Sequence, residues 1–412
     1  MAEMKDSGTI WLGQIPEKWE LSKIDSVYEL RTQKVSDKDY PPLSVTMNGI
    51  VPQLNSAAKT NAHDDRKLVK KGDFAINSRS DRRGACGVSK YNGSVSLINT
   101  IMKPRKEIDP DYYNWLFHTT QFADEFYKWG HGIVDDLWTT NWQDMKHINI
   151  PVPILAEQKA ISDYLNELIP EINCLCTDIE QQIEILEEYK KSIITETVTK
   201  GLNPNVEMKD SGIEWIGKIP KHWKCKKVKY VCKTRNEKYT SKNGNLDYLA
   251  LENIESWNSK YITTDNEYKL EETNLCYKDD VILGKLRPYL AKTFLIDYNR
   301  CCSTEFAVFC EFQGIPKYYL YVFTEQGFIK TVDNSTAGVK MPRANIDFIR
   351  NVYIPIAPVN EQKSIAELLD KKCTKIDSII ADKKKQLETL EQYKKSLIYE
   401  YVTGKKEVPP NE

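Results

Sequence analysis

Two stretches of the chain carry apolar residues at alternating steps of three and four. In the first, beyond Pro151 and Pro153, they fall at 161, 165, 168, 172, 175, 179, 183, 186, 189 and 193. In the second they fall at 365, 369, 376, 379, 387, 390, 393 and 397. This spacing predicts two long helices, each with one apolar seam of the coiled-coil kind. Leu165, Ile172, Ile179 and Leu186, then Leu369, Ile376, Leu390 and Leu397, are read as its packing residues. Lys372 and Lys383 interrupt the second seam, and Pro170 is expected to kink or loosen the first helix. About 45 residues apiece, at ~1.5 Å of rise, make rods of roughly 65 Å.

The two helices are copies. "LEEYKKSIITETVTKG" from Leu186 is answered by "LEQYKKSLIYEYVTGK" from Leu390, at an offset of 204 residues. The same offset relates "INIPVPILAEQKAISDYLNEL" from Ile148 to "VYIPIAPVNEQKSIAELLDKK" from Val352. It also relates "MKDSGTIWLGQIPEKW" from Met4 to "MKDSGIEWIGKIPKHW" from Met208. The chain is therefore one unit in tandem duplicate. Each unit has an opening motif, a middle and a closing helix. The boundaries read as 1–150 (first globular domain), 151–203 (central helix), 204–354 (second globular domain) and 355–412 (C-terminal helix). Antiparallel packing of the helices would bring the C-terminal end back to the first opening motif, giving a ring with pseudo-twofold symmetry. The repeated Trp, Ile and Pro residues of the opening motif are read as a packing clip.

The middles differ from the frame. Residues 21–130 and 225–334 show little similarity at the shared offset, so one frame carries two dissimilar inserts. Both look mixed α/β. Residues 68–96 and 275–310 each read as strand, loop, strand. A helical stretch follows each, "PDYYNWLFHTTQFADEFYKW" and "PKYYLYVFTEQGFIKTV". Each then runs through a loop into a short apolar segment. The fold class is α+β (mixed α/β), two globular domains with a pair of long antiparallel helices.

Composition changes this picture little. The chain is 41% hydrophobic and 28% charged, as in a globular protein, with a net charge of −1. Residues 151–205 hold four basic and ten acidic side chains, so the acidic surplus is local and a basic face elsewhere is not excluded. No apolar run approaches the ~20 residues of a membrane span, and the first residues carry no apolar leader. A cytoplasmic protein with no membrane partner is expected. The ten cysteines contain no C-x-x-C pair and read as reduced, mostly buried thiols. There is no G-x-x-x-x-G-K-[ST] loop, and the five histidines show no metal spacing.

The opening "DSGIEWIGKIPKHW", the "ILGKLRPYLAK" and "CSTEF" segments, "AGVKMPRANIDFIRNVYIPIAP" and the "EQ…EYKKSII…VTKG" helix resemble the specificity subunit of type I restriction–modification systems. They occur in the family's order over nearly the whole chain, twice for the frame. The resemblance implies two target-recognition domains, each reading half of a split DNA sequence. It implies helices that set the gap and hold two methyltransferase subunits, with restriction/translocase subunits completing the enzyme. It implies no catalysis and no cofactor in this subunit, S-adenosylmethionine, ATP and Mg belonging to the partners. The first middle departs from the pattern: where the second has "GVKMPRA" it has "VDDLWTT".

The residue chemistry agrees with double-stranded DNA. The second middle offers Lys285, Arg287, Tyr289 and Lys292, then Lys340 and Arg343. Arginine can fork to guanine O6/N7 and lysine serves phosphates. The first offers Arg79, Ser80, Arg82, Arg83 and Lys90, then Trp138, Thr139, Thr140 and Asn141. Asparagine suits adenine, and threonine a base edge or phosphate. A helix start is expected at Asn345. The alternatives are a coiled-coil scaffold joining two different proteins, which leaves the basic loops unexplained, and an enzyme, for which catalytic groups are missing.

Overall fold

A computed structural model describes residues 3–53, 63–79, 83–132, 138–240, 246–264, 273–336 and 341–409. The chain divides into two units, Met1–Glu180 with Lys385–Glu412, and Gln181–Lys384. The helices run over Leu155–Lys200 and Val359–Val402, so each unit owns part of both. The first runs unbroken through Pro170, which is exposed.

Within each unit the two helix segments pack antiparallel. In the first, the Tyr164 ring lies 4.9 Å from Tyr401, and Lys394 Nζ donates to Asn173 Oδ1 at 3.1 Å. In the second, Lys383 donates to Gln182 and Lys190 Nζ lies 2.7 Å from Asp377 Oδ1. Leu165, Ile172, Leu369, Ile376 and Leu397 are buried, and Ile179, Leu186 and Leu390 are half-buried. The seam departs from expectation at four places. Leu175, Tyr189, Ile379 and Tyr393 are exposed, and their successors Cys176, Lys190, Ile380 and Lys394 face inward. The inward positions step at the 3.6 of a straight helix, which drifts off a 3.5 heptad frame within a few turns.

The opening motifs form hairpins, Met4–Asp6 with Gln14–Pro16 and Met208–Asp210 with Lys218–Pro220. Each closes onto a helix end. Trp11, Ile15 and Trp19 join the first core, and Ile216, Ile219 and Trp223 the second. Tyr399 Oη donates to Trp11 O at 2.8 Å, so within the first unit the C-terminal helix does return to the opening motif. Gly201 and Gly404 end the helices at φ +77° and +70°, where an L side chain is strained. A Cβ on Gly201 would sit 3.1 Å from the Trp223 ring. Gly201→Ala should therefore lower the unfolding free energy by about 1–2 kcal/mol, measured by urea titration. An unchanged midpoint would show that this cap is relaxed.

The middles share one fold despite their dissimilar sequences, in keeping with the mixed α/β layout read for both. The first sheet runs Tyr28–Leu30, Asn99–Pro104, Phe74–Asn77, Cys86–Val88 in spatial order, all antiparallel. The second runs Lys233–Arg235, Phe306–Cys310, Val281–Gly284, Thr293–Leu295, equally antiparallel. A smaller sheet matches too: Gly93–Val95 with Arg66–Val69, and Arg300–Cys302 with Asn274–Cys276. Each helical stretch is split in two, at Thr119 and at Glu325, whose side chains cap the second helix.

Matched polar contacts hold both heads. Arg31 grips Asp73 through two hydrogen bonds of 2.6 and 2.9 Å, and Arg235 grips Asp280 at 2.8 and 3.2 Å. Each aspartate is nearly buried and accepts a turn amide, from Lys70 and from Tyr277. Gln158 and Gln362 are buried where the strand turns into the long helix. Each donates to a carbonyl five residues back, Pro153 or Ala357, and accepts the amide of Asp109 or Ile315. They tie the head helices to the frame. None of the ten cysteines is paired, and eight are buried. Burial pushes the Cys232 thiol up to about 12 and Cys373 to about 11, so both stay protonated.

Candidate nucleic-acid interface

In the second head, residues 285–292 link the strands Val281–Gly284 and Thr293–Leu295. The later loop is laced to them by backbone. Arg287 N donates to Pro342 O at 2.8 Å, and Ala344 N to Lys285 O at 2.9 Å. Leu286 and Arg343 stand opposite each other as an antiparallel bridge. Arg287 and Ala291 take left-handed conformations at φ 51° and 46°, which folds the linker into a tight platform. Asn345 then caps the helix Ile346–Asn351, accepting Asp347 N at 2.8 Å, as its sequence position implied.

This platform gathers Lys285, Arg287, Tyr289 and Arg343, four of the six residues expected there. Arg287, Tyr289 and Arg343 are exposed, and Arg343 pairs with Glu305. Lys285 is half-buried; burial lowers its ammonium pKa, opposed by Glu305 and reinforced by Arg343. Lys292 is turned inward: Nζ donates to Leu251 O at 2.8 Å, and burial lowers its pKa. That ammonium is occupied holding a loop. Lys340 lies outside the described residues. Met341 is exposed beside Arg343 and was not foreseen, although it stands in "GVKMPRA" itself.

The first head builds the same platform. Residues 78–85 link Phe74–Asn77 to Cys86–Val88. Thr140 N donates to Ser78 O at 2.9 Å, and Arg79 bridges Thr139. Asn141 caps the short helix Trp142–Met145, as Asn345 does. So Arg79, Arg83 and Thr139 are brought together, with Ser80 and Arg82 outside the described residues. The others depart from expectation. Asn141 Oδ1 accepts Gln143 N at 2.7 Å, which engages it as a cap. Thr140 is buried, its hydroxyl donating to Phe126 O at 2.9 Å. Trp138 stacks on Tyr127 and donates to its carbonyl at 2.9 Å. Lys90 is exposed in the turn between Cys86–Val88 and Gly93–Val95, at the far end of the strand from Arg83. Arg83 is exposed, pairs with Asp124 and lies over the Tyr127 ring at 5.3 Å.

Two copies of a basic strand-linker platform, on heads of one fold, define a tandem recognition protein. The profile of the family described as type I restriction modification DNA specificity domain matches residues 16–185 and again 220–389. The chain belongs to that family and carries two of its domains. It is similar to the MjaVIII type I restriction enzyme specificity subunit of Methanocaldococcus jannaschii, 26% identical over 95% of this chain and 94% of the relative. It is also similar to the EcoDI specificity subunit of Escherichia coli, 20% identical over 89% and 84%. Its fold matches a chain from a solved assembly of the type I restriction–modification system, with a TM-score of 0.71, 12% identity, and 94% and 98% covered. It matches the HsdS subunit of Thermoanaerobacter tengcongensis with a TM-score of 0.53, 14% identity, and 95% and 98% covered. Membership makes the chain a DNA-binding specificity component that works with other restriction–modification subunits. Among the described residues no helix is long and apolar enough to cross a membrane.

Proposed function

We propose that each head reads one half of a bipartite duplex target through its linker platform, and that the paired helices dock two methyltransferase subunits. Restriction/translocase subunits complete the enzyme. In this reading the subunit is cytoplasmic and non-catalytic, and S-adenosylmethionine, ATP and Mg are handled by the partners. The observation that carries the reading is the repetition of the platform on two heads whose frame is shared and whose exposed side chains differ. A frame that is copied and a surface that is not are what two independent readers require.

The residues assigned to DNA are Arg79, Arg83 and Thr139 in the first head, and Lys285, Arg287, Tyr289 and Arg343 in the second. Arg343→Ala should cost about 1–3 kcal/mol against the matched duplex and relax preference within one half-site. Titration against matched and mismatched duplexes at several salt concentrations checks this. Unaltered affinity and preference would move the reading surface elsewhere. The competing scaffold reading separates in the same measurement, because a DNA reader weakens steeply with salt. The methylation motif of cells carrying the chain with its methyltransferase names the target.

A further inference from the structure

The two platforms share three backbone contacts, and this isolates a difference. Lys285 N donates to Glu305 O at 2.8 Å, and Ser78 N to Ile98 O at 3.4 Å. Ala344 N donates to Lys285 O, and Thr140 N to Ser78 O. Leu286 bridges Arg343, and Arg79 bridges Thr139. By these contacts Glu305 corresponds to Ile98, and Arg343 to Thr139. The second head has an acid–base pair where the first has neither partner. The first head keeps these three backbone contacts without it. The pair is thus dispensable to the fold, and both members are absent together.

The geometry of the pair is asymmetric. The Glu305 side chain is 22% exposed and Arg343 60%. Glu305 Oε1 holds Arg343 Nη2, and Glu305 Oε2 is buried with no hydrogen-bond partner. A largely buried carboxylate anchors an exposed guanidinium through one nitrogen, which leaves the other donors of the guanidinium for a base. The backbone on either side of Arg343 is pinned by Pro342 O and Ala344 N. Guanine is the base that presents two acceptors, O6 and N7, to such a fork.

We propose that Glu305 is a positioning residue that pre-orients Arg343 to read one guanine in the second half-site. This rests on the DNA-reading function above and adds the base and the device. An arginine held in place spends less side-chain entropy on each base contact, so discrimination rises. Lys285, Glu305 and Arg343 together are two cations around one carboxylate. Removing the acid leaves the local field more positive, so attraction to phosphates does not fall while discrimination does.

The test uses the full chain assembled with its methyltransferase partner. The probes are duplexes carrying the motif that this assembly methylates, and every single-base substitution of it. Arg343→Ala should flatten a guanine preference at one position of one half-site, by roughly 5–150-fold. Glu305→Gln should flatten the same position and no other, by a factor no larger than that of Arg343→Ala. Its binding to non-specific duplex should be equal or tighter, and its unfolding midpoint unchanged. Adding Glu305→Gln to Arg343→Ala should then change the base preference no further, because in reading the two act as one unit. The inference is overturned if Glu305→Gln keeps the wild-type preference while Arg343→Ala loses it, since the reading by Arg343 then stands alone. It is overturned equally if Glu305→Gln lowers several preferences together with the midpoint, which marks a fold residue. If Arg343→Ala leaves every preference intact, the placement of the reading surface fails with it.

Discussion

Asp377→Ala will remove about 3–5 kcal/mol of stability from the second unit. Asp377 and Lys190 face each other across the two helices at 2.7 Å, with side chains 10% and 8% exposed. Lys260 reaches the other carboxylate oxygen at 2.8 Å, and Lys190 also donates to Asn258 Oδ1 at 2.7 Å. Deleting the carboxylate leaves an ammonium inside the helix pair with one neutral partner, and the cost is the desolvation of that charge. Replacing both members by apolar residues, Lys190→Met with Asp377→Leu, should cost much less, because no charge is then stranded. Urea unfolding of the full chain, with hydrogen exchange to locate the loss, measures both. A single-variant loss below about 1 kcal/mol would reduce the pair to the rank of a surface bridge. The first unit places Lys394 against Asn173 at the matching position.

Exchanging residues 21–147 for the corresponding segment of a relative should replace one half of the recognised sequence outright and leave the other half unaltered. One joint falls within the strand Glu20–Lys23 and the other just before its partner Asn149–Val152, a pair the frame repeats as Lys224–Lys227 and Tyr353–Ile356. The donor must bring equivalents of Asp109, whose amide meets Gln158, and Tyr112, whose hydroxyl donates to Val402 O at 2.8 Å. With those contacts kept, the platform is the part that changes. Methylation motifs of the parent and the exchanged chain make the comparison. A change in both halves would mean that the heads do not read independently.

The frame was legible in the sequence because it is written twice and in the periodic language of packed helices. Leu165 and Leu369 are buried where the spacing put them, and Asn345 caps where expected. The seam misled at Leu175 and Tyr189, where residue type pointed inward and helical pitch pointed outward. The kinship of the heads was hidden because strand pairing is made by backbone groups, which leave no mark on side-chain identity. Arg31 and Arg235 do stand 204 residues apart, but their aspartates do not, so the pair escaped notice. Gln158 and Gln362 were visible inside the repeated "EQK" yet carry no periodic signal of their clamp. In the platforms, residue type named Arg79, Arg287 and Arg343, which the fold places on the linkers and the loops laced to them. It also proposed Thr140, Asn141 and Lys292, because a hydroxyl, an amide or an ammonium reads alike whether free or already bonded.

The division of the chain into units also orders its synthesis. The second unit is one continuous stretch, Gln181–Lys384, whereas the first joins Met1–Glu180 to Lys385–Glu412. Tyr112 and Val402 meet across 290 residues, and Leu397 and Tyr401 belong to the same core. The first head therefore waits for residues translated after the whole of the second, which is by then complete. The part of its core that Leu397, Tyr401 and Val402 cover stays open until then, and its closure carries the entropy of a long loop. A message cut short before Leu397 would yield a finished second head attached to an unfinished first one.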